Sequence, residues 1–126
     1  MRQELDRQLR ERHPEIFASP ESTSKGSVII WGIECADGWF DILDKLCSDI
    51  QAHINLTGSS QVIARQIKEK YGGLRFYYSG ADLVVDQLID EAEELSEVTC
   101  DCCGAPGTLT ENANGWLRTR CQKHQD

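Results

Sequence analysis

The sequence predicts an α+β domain, a short antiparallel sheet packed with two main helices, with a small β-hairpin module at its C-terminus. Three observations predict it. Apolar residues recur at helical spacing over 39–54, and residues 61–80 form two strand-like runs joined by paired glycines. Beyond residue 98 the chain becomes a mixture of turn glycines and closely spaced cysteines. The expected division is 1–98 for the α+β core and 99–126 for the appended module.

A chain of 126 residues, 40% apolar and 27% charged, can bury one ordinary core and is not of disordered composition. It has no run of about 18 apolar residues that would cross a membrane. The opening MRQELDRQLRERHPEIF is charged throughout and lacks the apolar centre of a secretory signal. These features lead us to expect an intracellular protein. In that reducing setting, six cysteines suggest metal binding before disulfides.

Leu5 and Leu9 lie at helical spacing within 2–12, and His13-Pro14 ends that short surface helix. Residues 18–27 are turn and loop formers. The β-branched and aromatic run 27–35 predicts a buried strand. Asp37 is placed to cap the next helix, whose apolar stripe is Trp39, Ile42, Leu43, Leu46, Cys47, Ile50 and Ile54. Gly58 follows its end.

The hairpin over 61–80 is expected to turn at Gly72-Gly73, pairing Tyr71 with Leu74. Ile67, Phe76 and Tyr78 then share one face, and Lys68, Lys70, Arg75 and Tyr77 the other. Over 82–98 a second helix presents Val84, Leu88, Ala92 and Leu95 on an apolar side. Asp82, Asp86, Asp90, Glu93 and Glu97 form an acidic side. Two short extended pieces, 108–110 and 116–120, complete the chain.

Cys100 and Cys103, followed by glycine, form one pair, and Cys121 with His124 forms a second. A two-residue gap lets one tight turn aim both ligands at a single ion, and thiolate with imidazole is the donor set of tetrahedral zinc. The spacing therefore predicts a structural zinc knuckle with these four ligands. Cys102 is left as a bystander. Four protein ligands leave no open position for a reactive water, so a catalytic zinc is not expected. Cys35 and Cys47 fall on apolar faces and are expected to be buried structural thiols.

The net charge of −8 opposes whole-surface attraction to nucleic acid, but the charge is unevenly spread. Residues 76–117 contain no Lys or Arg and nine acids, whereas Arg65, Lys68, Lys70 and Arg75 cluster within eleven residues. Either charged face has an ordinary reading as solvated surface. As function, the acidic face would dock a basic or nucleic-acid-binding protein through Asp86, Asp90, Glu93, Glu94 and Glu97. The alternative is nucleic-acid binding by Lys68, Lys70, Arg75 and Tyr77, aided by Arg118, Arg120 and Lys123. No acid–base or nucleophile–base set is identifiable, so no enzymatic activity is expected.

Three segments, DGWFDILDKLC (37–47), QIKEKYGGLRFYYSG (66–80) and TCDCCGAPG with GWLRTRC and the closing His (99–124), resemble a family of small uncharacterised proteins of tailed bacteriophages and prophages. The family's two-pair zinc pattern falls on the same ligands and leaves out Cys102. The resemblance implies a virus-encoded accessory protein in the bacterial host cytoplasm, and implies no activity. The resulting expectation is a zinc-stabilised protein–protein interaction module that inhibits a host enzyme or anti-phage defence complex.

Overall fold

The computed structural model describes residues 1–18 and 32–125. Among these residues the architecture is α+β: three α-helices and two two-stranded antiparallel sheets. No helix among them is long and apolar enough to cross a membrane. Most of the expected 18–27 loop, and residues 27–31 of the expected strand, lie outside the described residues.

Helix α1 (Gln3–Arg12) is amphipathic. It is more than a surface helix, because Leu9, and Ile16 just beyond it, are fully buried. The Asp6 carboxylate accepts the Ile33 amide at 3.1 Å. The N-terminal amine donates to the carbonyls of Ile33 and Cys35. These bonds hold the described end of the 27–35 run against the helix.

A 3-10 turn (Asp37–Trp39) leads into α2 (Phe40–Thr57). Its buried stripe is Ile42, Leu43, Leu46, Cys47, Ile50 and Ile54, as the helical spacing requires. Gly58 closes the helix at φ 74°, a left-handed conformation that glycine adopts without Cβ strain. Asp37 does not cap the helix through its side chain. Its carboxylate instead accepts the Arg2 amide at 2.8 Å.

Strands β1 (Ile63–Lys70) and β2 (Gly73–Ser79) form the central hairpin. Lys70 pairs with Gly73, so the two turn residues are Tyr71 and Gly72, one position earlier than the paired glycines suggest. Tyr71 (φ 55°) and Gly72 (φ 84°) both take the left-handed conformations of a two-residue hairpin turn. A Cβ on Gly72 would also press on Leu109 Cδ1 of the C-terminal module, a flexible side-chain end that can shift, so it is the positive φ that favours glycine here. The register slips by two in its pairing sum, which leaves each residue on its expected face. A bulge at Arg65 then restarts the pairing at Ala64 and Tyr78.

Both edges of the hairpin are covered. On the β1 side Glu34 forms a parallel bridge, donating to the Ile67 carbonyl (2.9 Å) and accepting from the Glu69 amide (3.0 Å). On the β2 side, α3 (Leu83–Ser96) supplies side-chain acceptors. The Ser96 hydroxyl oxygen takes the Leu74 amide and the Glu93 carboxylate takes the Phe76 amide, each at 2.9 Å. With the Leu74 and Phe76 amides occupied, the β2 edge is a poorer template for another strand.

Asp82 caps α3 by accepting the Val85 amide. The same carboxylate meets His53 at 2.7 Å, tying the end of α2 to the start of α3. Val85, Ile89, Ala92 and Ser96 face the core. The expected stripe is thus rotated: Val84 and Leu95 are exposed, while Leu88 is partly buried. Ile67, Leu74 and Phe76 meet α2 and α3 in one apolar core, and each such buried side chain contributes about 1.5–3 kcal/mol.

Candidate metal centre

Residues 99–125 are built around four donors. Strands β3 (Thr108–Glu111) and β4 (Leu117–Arg120) pair antiparallel, Thr108 opposite Arg120, and carry the chain back to the first cysteine pair. A 3-10 turn (Gln122–His124), closed by the His124 amide on the Cys121 carbonyl, brings the second pair round. Gly104, at φ 83°, reverses the chain after Cys103 and donates to the Cys100 carbonyl at 2.9 Å.

The Cys100, Cys103 and Cys121 sulfurs and a His124 ring nitrogen all lie within 4.8 Å of one another, close enough to hold one metal ion. Cys103 Sγ and Cys121 Sγ are 3.7 Å apart. His124 Nδ1 is 3.2 Å from Cys121 Sγ and 3.7 Å from Cys100 Sγ. Burial pushes the Cys100 thiol up. Hydrogen bonds from the backbone at Cys121, Cys103 and Cys102 outweigh that and bring it down to about 6, favouring thiolate.

Cys100, Asp101 and Cys102 also come together, but this group is committed elsewhere. Asp101 is buried and pairs with Arg120 at 3.0 Å. Cys102 lends its amide to Cys100 Sγ at 3.4 Å, while burial and the neighbouring Asp101 push its own thiol up to about 11. Cys35 and Cys47 are both buried and belong to neither group of possible metal ligands, and burial pushes Cys35 up to about 12.

The module is packed tightly against the core. The Gly38 amide donates to the Asp101 carbonyl (2.8 Å) and the Trp39 indole N–H to the Thr99 carbonyl (2.9 Å). A Cβ on Gly38 would sit inside the Cys100 carbonyl oxygen and 2.6 Å from the Asp101 carbonyl carbon, so only glycine permits this approach. On the other side the Thr119 hydroxyl bonds the Gly72 carbonyl, and Arg118 meets Glu69 at 3.3 Å.

The acidic residues of α3 divide between two roles. Asp86 accepts the Tyr78 hydroxyl and Glu93 the Phe76 amide, so both support the hairpin. Asp90, Glu94 and Glu97 are exposed. Helical spacing did not reveal the groove beside them, because it lies between two helices. Ile42, Leu46, Leu88, Ala92 and Leu95 line its floor, Asp41, Asp49 and Glu91 its rim, and its volume is about 320 Å³. Lys45 also lines it, ion-paired with Asp49 at 2.6 Å.

The basic face is less uniform than its sequence. The Arg75 guanidinium turns back to the Leu74 carbonyl at 3.0 Å, while the Lys68 ammonium lies over the Tyr77 ring. The chain matches no family model, and no curated protein or solved structure is similar to it.

Proposed function

We propose that the chain is a zinc-stabilised, non-catalytic interaction module of the phage-encoded type. In this reading it acts in a bacterial cytoplasm by capturing a basic, nucleic-acid-binding host protein and obstructing it. Zinc fits the donor set. Tetrahedral zinc–thiolate bonds of about 2.3 Å place neighbouring sulfurs about 3.8 Å apart, and sulfur and imidazole nitrogen about 3.5 Å apart. The observed separations of 3.7, 3.7 and 3.2 Å lie close to those values. With four protein ligands, the ion's role is to hold 99–126 folded against the core.

One observation supports the partner surface above the others: an apolar groove rimmed by acids lies beside a helix that has exposed acids and no basic residue. Such a surface matches an amphipathic segment whose apolar side fills the groove and whose Lys or Arg side chains meet Glu91, Glu94 and Asp41, Asp49 being held by Lys45. Like charges placed there oppose the same segment.

The test is capture from bacterial lysate with the parent and with Glu91→Lys/Glu94→Lys, identifying bound proteins by mass spectrometry. The expected result is one basic protein retained by the parent and lost by the variant, with unchanged melting. Equal capture by both, or a partner of acidic character, would overturn the reading.

A further inference from the structure

The two hairpins leave a second cleft between them, on a different surface from the acidic groove. It is lined by Lys68, Glu69, Lys70 and Tyr71 from the first hairpin, and by Glu111 and 114–117 from the second. Its volume is about 880 Å³. We propose that this cleft binds a short stretch of single-stranded nucleic acid, with bases stacked on Tyr71 and Trp116 and phosphates meeting Lys68 and Lys70.

Both aromatic rings are unusually open. Tyr71 is 69% exposed and Trp116 61%, although large aromatic side chains are stabilised by burial. Tyr71 also occupies a left-handed turn position (φ 55°), where Asn, Asp or Gly is the ordinary choice. Neither local conformation nor core packing explains a tyrosine there. An aromatic platform at the mouth of a cleft does.

Trp116 is held in place. The Asn112 side-chain oxygen accepts the amides of Asn114 (2.9 Å) and Trp116 (3.0 Å), and Gly115 closes the loop at φ 82°. Arg118 stacks over the Trp116 ring at 5.9 Å and is itself held by Glu69. A platform fixed in this way loses little freedom when a base lands on it.

Both lysines line the cleft, Lys70 beside Tyr71 and Lys68 one step along the strand, over Tyr77. Lys68 and Lys70 alternate along one face of β1, about 6.6 Å apart. The Lys70 ammonium lies 5.5 Å from the Tyr71 ring centroid. A base stacked on Tyr71 would therefore carry its phosphate near a cation. Of the cleft's two acids, Glu69 is occupied by the Gly72 amide and by Arg118. Glu111 remains on the wall and opposes a dense double row of phosphates, which favours a single strand with its bases turned inward. With only two lysines engaged, stacking supplies more of the affinity than counterion release does.

The experiment titrates the 126-residue chain, as purified with its metal, with ten-nucleotide oligo-dT and oligo-U, reading tryptophan fluorescence and anisotropy of a labelled strand. The chain has three tryptophans, so the quenching due to Trp116 is the part lost in Trp116→Phe, whose binding is read by anisotropy. Trp116→Ala and Tyr71→Ala are each expected to weaken binding about 5- to 150-fold, the effect of losing one base stack. Trp116→Phe should retain most of the affinity. The parent's log K is expected to fall with log salt at a slope of about −1.4, and Lys68→Glu/Lys70→Glu should remove most of that slope.

The proposal is overturned if neither oligonucleotide quenches the parent, or if both alanine variants bind as the parent does. Equal affinity for a duplex of the same length would also overturn it. Quenching by an oligosaccharide such as chitohexaose, with none by oligonucleotides, would assign the cleft to a sugar instead. Glu91→Lys/Glu94→Lys should bind the strand at least as well as the parent, which separates this site from the proposed protein-docking groove.

Discussion

The Thr119 hydroxyl donates a 2.6 Å hydrogen bond to the carbonyl of Gly72, across 47 residues of sequence and in a buried position. It joins β4 of the C-terminal module to the turn of the central hairpin. Thr119→Val keeps the shape but leaves that carbonyl without a donor. The expected cost is about 1–3 kcal/mol in denaturant unfolding. Thr119→Ser, which keeps the hydroxyl, should lose less. Equal stability for parent and Val variant would mean that the module does not depend on this contact.

Metal content is the most direct check on the C-terminal module. The purified chain is expected to carry one zinc. Cys100→Ser, Cys103→Ser, Cys121→Ser and His124→Ala should each lose it, and Cys102→Ser should retain it. Chelation should then speed amide hydrogen exchange over 99–125, because binding energy and folding energy are the same quantity in such a module. A metal-free protein with slow exchange throughout that segment would remove zinc from the account.

At the hairpin turn, two substitutions should move in opposite directions. Tyr71→Asn places a residue that tolerates the left-handed region at φ 55°, and should stabilise the fold by up to about 1 kcal/mol. Gly72→Val forces a β-branched side chain into positive φ and against Leu109, and should cost a few kcal/mol. Thermal melts compare them directly. A neutral Gly72→Val would contradict the turn assignment.

The extent to which the sequence disclosed this structure follows the range of the interactions involved. The α2 stripe, its Gly58 stop and the Cys-x-x-Cys…Cys-x-x-His pattern are local periodicities and spacings, and all four donors come together as the spacing requires. The turn position was not legible, because a Gly-Gly pair suits two adjacent registers. With Tyr71-Gly72 in the turn, the Gly72 carbonyl meets the Thr119 hydroxyl, a partner 47 residues away that no local pattern contains. The rotated face of α3 has a similar cause. Val84 and Leu95 satisfy helical spacing as well as Val85 and Ile89 do, and only the position of β2 selects between the two stripes. Tyr71 and Trp116 lie 45 positions apart, so no window on the sequence contains the cleft they share.

Glu93 offers a test that separates support of the fold from recognition of a partner. Its carboxyl pKa is raised by burial, which outweighs the Phe76 amide and nearby Arg75; Asp90 and Glu97 push it the same way as burial. A carboxyl whose folded pKa lies above its unfolded value favours the fold while protonated, and that contribution is lost as pH rises through the carboxylate range. Glu93→Gln keeps an oxygen for the Phe76 amide and removes the charge. Its unfolding midpoint should match the parent's below about pH 4 and exceed it at pH 7. Glu93→Leu removes the acceptor and should be less stable than Glu93→Gln at both pH values. Because the Glu93 carboxylate is already committed to β2, Glu93→Gln should also leave partner capture intact, whereas Glu91→Lys/Glu94→Lys should abolish it. A Gln variant less stable than the parent at pH 7 would show that ionised Glu93 stabilises the fold, reversing the assignment made from its burial.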